Sequence, residues 1–241
     1  MNVLAIGCHP DDIEILCAGT LAKCAKRGDK IIVCHASSGS LGHATIKPDE
    51  LRKIREQEAK NAGAIIGSEV IWGGFDDLEI FHGNQEAVDR MVDIIKYAQP
   101  DFIITHAPDD YMSDHNAVSK LVFDASFAAT LPNYPLPNAK FSNADTPPAK
   151  CVPIYYMDTD AGIGFVPTEY VDITDEMETK IEMCKCHKSQ VEWLGEHDGD
   201  DFIEMTYLGS AYRGYQCGVK YAEGFRQCMV HLKCTTKRLL P

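Results

Sequence analysis

Two short stretches concentrate side chains that can hold a metal ion or move a proton. HPDDIE, residues 9–14, sets His9 beside Asp11 and Asp12, with Glu14 two residues on. THAPDDYMSDH, residues 105–115, carries His106, Asp109, Asp110, Asp114 and His115. Each follows an apolar run, NVLAIG or DFII, of the kind that forms a buried strand. A turn needs only Gly, Pro, Asn or a single Asp, so the surplus of charge asks for another reason. Histidine and carboxylate suit Zn²⁺ where thiolates are not used, typically three protein ligands with a position left for water. His9 and Asp12 supply two ligands from one turn, and a histidine of the second stretch supplies the third. A carboxylate left free beside the ion can take a proton from that water, and Asp11 is the natural base. Each stretch alone also reads as a helix cap, with Asp11 or Asp12 in the first and Asp114 in the second. Capping does not account for both histidines falling at strand ends.

The elements around these stretches alternate. Strands are expected at NVLAIGCH, KIIVCHAS, EVIWGGF and DFIITHAP, with helices at about 14–27, 49–66, 85–99 and 115–130. Such alternation predicts an α/β fold, a three-layer Rossmann-like arrangement with a mostly parallel sheet flanked by helices. Ligands bind such sheets at the carboxyl ends of the strands. If strands one and four are neighbours, both charged stretches open into one cleft. After residue 130 the texture changes. LPNYPLPNAKFSNADTPPAK holds five of the twelve prolines and reads as a long loop, a lid, binding loop or subunit contact. Strands at CVPIYYMDT and EYVDIT follow, then one long helix from a capping Thr174 through residue 194, then helix and strand from Ser210. The expected organisation is a single domain, 1–241, with an alternating core at 1–130 and an elaborated C-terminal part at 131–241.

Composition narrows the partners. A net charge of −13 and a pI near 5.0 argue against nucleic acid and anionic membranes, which would repel the chain. No apolar run approaches the roughly 20 residues that span a bilayer, and the N-terminus has no secretory signature, so a cytoplasmic location is expected. The ten cysteines lie within apolar runs with no C-x-x-C pair, which fits reduced, buried thiols. Cys184, Cys186 and His187 are too awkwardly spaced on a helix to converge on one ion. G-x-G-x-x-G is absent from the first turn, which removes a dinucleotide site. His35, His43, Trp72, Phe75 and His187 read as packing or loop residues.

CHPDDIEILCAGTLAKCAKRG resembles the A-H-P-D-D-x-E-x-x-x-G-G-T opening of the LmbE/PIG-L family, zinc-dependent de-N-acetylases of N-acetylglucosamine conjugates. IREQEAKNAGAIIG is similar to that family's R-x-x-E-A-x-x-A-A-x-x-L-G helix, THAPDDYMSDH to its H-x-P-x-D-Y-H-x-D-H loop, and KCHKSQ to its H-x-S-Q segment. YRGYQCGVKYAEGF resembles a common C-terminal stretch, so the matches span nearly the whole chain. The resemblance implies Zn²⁺, with Fe²⁺ an alternative, on His9, Asp12 and His115. It implies Asp11 as general base, Arg55 at the substrate site, and Asp114 orienting a second catalytic histidine. It also implies an amino-sugar substrate, deacetylation as the activity, and a homo-oligomer. Taken without it, Arg55 reads as an i, i+3 partner of Glu58.

The second histidine is where the chain departs from the pattern: its position is Met112. A thioether neither donates a proton nor steadies an oxyanion. His106 or the Tyr111 hydroxyl is expected to stand in for it. The alternatives are weakened or altered chemistry, such as hydrolysis of another small amide, or a protein that binds a sugar conjugate without turning it over.

Overall fold

The computed structural model describes residues 1–197, 199 and 201–241. Seven strands form one sheet: β1 (Asn2–Gly7), β2 (Lys30–Ser37), β3 (Glu69–Phe75), β4 (Phe102–Thr105), β5 (Ile154–Met157), β6 (Glu169–Asp172) and β7 (Ala222–Gln227). Their order is β3-β2-β1-β4-β5-β7-β6. The first five in that order run parallel, while β7 is antiparallel to both β5 and β6. Strands one and four are therefore neighbours, and β1 lies between β2 and β4. The C-terminal strands extend the same sheet.

Period-two alternation divides the core into two layers. Leu4, Ile6, Ile32 and Ile103 pack with Met91 and Ile94 of α4 (Gln85–Ala98) and Leu121 of α5 (Ser113–Ala128). Val3, Ala5, Ile31 and Ile104 face the other way, onto Leu16 of α1 (Asp12–Leu16), Leu21 of α2 (Ala18–Lys26) and Ile181 of α6 (Met177–Cys184). Because the parallel strands are covered on both faces, they read as continuous apolar runs.

Three expected helices differ from their sequence patterns. The helix over 14–27 is two, broken at Cys17 (φ −148°). The buried Glu223 carboxylate of β7 accepts the Gly19 and Thr20 N–H groups at 2.9 and 2.7 Å, so α2 begins on a remote cap. The long helix from Thr174 is also two, α6 and α7 (Lys188–His197). Thr174 turns its hydroxyl to Asp172 instead of capping α6. The α6–α7 turn lets Ser189 donate its N–H and hydroxyl to Glu58 of α3 (Pro48–Ile65). The last helix, α8 (Phe202–Cys217), starts before Ser210, because Asp201 accepts the N–H groups of Ile203 and Glu204.

The proline-rich stretch 131–150 carries no helix or strand. Asp93 of α4 accepts N–H groups from Lys140, Phe141 and Ser142, which fastens the loop to the α4 face. None of its residues lines the large cavity at the strand ends.

Candidate active site

The turn after β1 is held in an unusual conformation. Asp11 has φ 133° and ψ −27°, a region that an L-residue occupies only when its surroundings impose it. One restraint is local, since the His9 N–H donates to Asp12 Oδ2 at 2.6 Å. The other is Arg55, buried on α3, which donates from Nη2 to the Pro10 carbonyl and to Asp11 Oδ2 (3.1 Å), and from Nη1 to the Gly39 carbonyl (2.9 Å). Gly39 has φ 62°, and a Cβ there would lie 2.2 Å from Nη1. The guanidinium thus ties the β1 and β2 turns together. Glu58 takes no part, being occupied by Ser189.

Three imidazoles surround Asp12. His106 Nε2 lies 3.1 Å from Oδ2, His115 Nε2 3.4 Å from Oδ1, and His9 Nδ1 3.7 Å from Oδ2. Carboxylates back two of these rings on their other nitrogen: Asp110 sits 3.0 Å from His115 Nδ1, and Asp114 lies 3.3 Å from His9 Nε2. Such backing fixes the tautomer and aims the remaining nitrogen, as in carboxylate–histidine–metal arrangements. Here the aimed nitrogens, His9 Nδ1 and His115 Nε2, both face Asp12. His115 Nε2 is buried and has no hydrogen-bond partner. Its 3.4 Å from Asp12 Oδ1 matches the separation of about 3.4 Å between two ligands on a tetrahedral ion with bonds of about 2.0–2.1 Å. Donor atoms of Asp12, His106 and His115 all lie within 4.8 Å of one another, as do those of Cys8, His9 and Asp12. The donor set fits a borderline cation such as Zn²⁺, with Asp12 common to both groups.

Electrostatics separates the adjacent aspartates. Burial pushes Asp11 up to about 6, with Arg55 opposing and Asp12 adding to the rise. Burial also acts on Asp12, but His115 and His106 outweigh it and hold the carboxyl well below the usual range. One acid stays ionised while its neighbour titrates near neutral pH, a division of labour suited to ligand and base.

His9, Asp11, Asp12, Arg55, Met112 and Asp114 line a cavity of about 550 Å³. An adjoining apolar recess of about 530 Å³ shares Ile15, Asp160, Leu194 and Phe202 with it. His106 lies beneath the cavity, stacked on His115 with ring centroids 3.9 Å apart, and its Nε2 accepts the Cys8 N–H at 2.9 Å. Burial first, then His115, lower its pKa to about 4. The structure thus places His106 beside the candidate ligands Asp12 and His115, and not on the cavity wall next to Met112. Tyr111 is 61% exposed and borders the recess, not the main cavity. Asp114 accepts the Leu78 N–H and faces His9. Arg55 reaches the cavity with Nη1 and Nη2 bonded to the protein, where it holds Asp11, and with its buried Nε unpartnered.

Four contributors escaped the sequence reading of the site. Asp110 stood in the quoted loop without a role. Asp77, after β3, accepts the Gly39 and Leu41 N–H groups at 2.7 and 2.8 Å and shapes the cavity wall. Gln190, in the quoted KSQ segment, donates to the Gly42 carbonyl. Asp160 follows β5, where the rule that flagged strands one and four would have found it. Glu14 of the opening motif lies 3.3 Å from His187 Nε2, both buried, and so braces α1 against the α6–α7 turn.

A mostly parallel sheet with a histidine–carboxylate cluster and a second aspartate beside it at its carboxyl edge is an arrangement suited to metal-assisted hydrolysis. Residues 4–126 match the profile of the GlcNAc-PI de-N-acetylase (PIG-L) family, and the chain belongs to that family. It is 28% identical over 237 residues to diacetylchitobiose deacetylase of Thermococcus kodakarensis, covering 93% of this chain and 82% of that protein. The structure of N,N'-diacetylchitobiose deacetylase from Pyrococcus horikoshii superposes with a TM-score of 0.80 at 27% identity, covering 97% of this chain and 87% of that one. GalB, the 4-carboxy-2-hydroxymuconate hydratase of Pseudomonas putida, shares the fold with a TM-score of 0.78 at 22% identity, covering 99% and 100%.

Proposed function

We propose that this protein is a metal-dependent amidohydrolase that removes the acetyl group from an N-acetylglucosamine-type sugar or conjugate. The observation that carries this reading is Asp12 facing two carboxylate-backed imidazoles, with the separately titrating Asp11 beside it. Zn²⁺, or Fe²⁺ in its place, would be held by Asp12 with His115 and His9 or the deeper His106. When bound, the ion polarises the acetyl carbonyl and acidifies a water molecule. Asp11 then removes the proton from the attacking water, with Arg55 fixing one of its oxygens and the strained turn fixing its direction. Asp110 and Asp114 hold the imidazoles in their tautomers. The cavity volume suits a monosaccharide unit, and the recess offers an apolar wall to whatever the sugar carries.

All ten cysteines are free, which supports a reducing, cytoplasmic location. A homo-oligomer belongs to the same proposal and is checked by sedimentation of the purified chain. The functional test is bound-metal analysis with amine release measured from N-acetylglucosamine and N,N'-diacetylchitobiose. Release that requires metal and is lost in Asp11→Asn supports the reading. Stoichiometric metal with no acetamide turnover overturns it, and leaves binding without turnover, or another small amide, as the use of the site.

A further inference from the structure

Met112 puts a thioether on the cavity wall where the resemblance leads one to expect an imidazole. One acid on the same wall has no role so far. Asp160 opens the short 3₁₀ turn Asp160–Gly162 at the carboxyl end of β5 and lines both the main cavity and the recess. Its Oδ1 is buried with no hydrogen-bond partner, which is costly for a carboxyl, while the carboxyl also takes a hydrogen bond from the Tyr111 hydroxyl.

The turn that presents it is braced on both sides. Arg213 of α8 forks onto the preceding Asp158 through Nε and Nη2. The Thr159 hydroxyl donates to the Ile163 carbonyl at 2.7 Å, and the Gly162 N–H donates to the Thr159 carbonyl at 2.9 Å. Ala161 adopts φ 55°, and a Cβ on Gly162 would lie 2.8 Å from Arg213 Nη2. The charged and titratable groups acting on Asp160 are Asp11 from the β1 turn, Asp12 at the start of α1, Asp110 and Tyr111 from the β4 loop, and His115 from α5. Burial, then the charge on Asp12, raise its carboxyl to about 7.

We propose that Asp160 is the proton donor to the departing amine, in place of the imidazole that Met112 does not supply. The proposal rests on the deacetylase reading. In the balanced step, water loses a proton to Asp11 and its oxygen bonds to the acetyl carbon. The carbon–nitrogen bond then breaks as Asp160 passes its proton to the nitrogen, releasing a neutral amine and acetic acid. Asp11 returns its proton to Asp160 through solvent, which restores both groups. Without a donor the nitrogen would have to leave as an amide anion, so the acid matters most for amine leaving groups.

The test compares wild type, Asp160→Asn and Asp160→Glu, each loaded with Zn²⁺, on N-acetylglucosamine and on p-nitrophenyl acetate, whose phenolate leaves without a proton. Asp160→Asn is expected to lose roughly 10²-fold or more in kcat on the acetamide. Its KM, metal content, melting temperature and ester hydrolysis are expected to stay near wild type, and Asp160→Glu is expected to recover part of the amide rate. An unchanged amide kcat in Asp160→Asn overturns the assignment while leaving the deacetylase reading intact. Equal losses on amide and ester, or loss of bound metal, make Asp160 structural and overturn it as well. A wild type that releases no amine brings down the deacetylase reading and this proposal together.

Discussion

Arg55 and Asp11 form one unit, with Nη2 of the guanidinium 3.1 Å from Oδ2 of the carboxylate and both side chains buried. With Asp11 as the proposed base, the pair is expected to set the acid limb of activity. Asp11 acts as a base only when ionised, and burial pushes its pKa up to about 6 against the pull of Arg55. kcat/KM is expected to fall as pH drops through that value. In Arg55→Gln the opposing cation is gone, so the limb moves to higher pH. A pH–rate profile of the two proteins checks the direction, and a limb that stays or moves down would separate Asp11 from the base role.

Replacing Asp11 by asparagine keeps the shape of the turn and removes the base. The expected loss in kcat is roughly 10²–10⁴-fold, the range for a general acid–base residue. Metal content should hold, because Asp12 and the imidazoles are untouched. Metal analysis beside steady-state kinetics tells loss of the base from loss of the site.

Gly39→Ala tests the tie between the β1 and β2 turns. Its Cβ would lie 2.2 Å from Arg55 Nη1, on a backbone at φ 62°. Eviction of the guanidinium and backbone strain together are expected to cost about 1–3 kcal/mol, with activity falling further than stability alone explains. Denaturant unfolding and kcat/KM on the same preparation measure both.

The Glu14–His187 pair makes stability depend on pH in a defined window. His187 is raised above 6.5 because Glu14 outweighs the cost of burial. Its contribution is complete below 6.5 and is lost as pH rises through the higher folded value. Glu14 is lowered from 4.5, again against burial, by His187. Its contribution is present above 4.5 and is lost as pH falls through the folded value. The stability gap between wild type and Glu14→Gln should therefore be widest between 4.5 and 6.5, narrowing on either side in urea titrations.

The strand-end chemistry was legible because histidine and paired aspartates have no role in an ordinary turn, and alternation placed β1 and β4 in one parallel sheet. The breaks at Cys17 and at 185–187 were not. Both stretches are composed of acceptable helix residues, and the groups that interrupt them, Glu223 and Glu58, come from distant elements. Arg55 and Glu58 show the same limit. Helical spacing allowed them to pair, but each found a better partner across the fold. For His106 a strand-end position did not tell whether the ring faces the cleft or the layer beneath it. The role of Met112 was legible only as a gap.

Glu223 gathers the first turn of α2 and the Lys180 ammonium onto one buried carboxylate, and its bond to Gly19 spans 204 residues. That contact sets where α1 must stop, and α1 begins at Asp12. The ligand cluster is thus registered against the end of the chain as well as its beginning. Residues 4–126 contain His9, Asp11, Asp12, His106 and His115, yet a fragment of that length would hold every candidate ligand and lack Glu223. The placement of the candidate site thus leans on a strand near the end of the fold as well as on the first one.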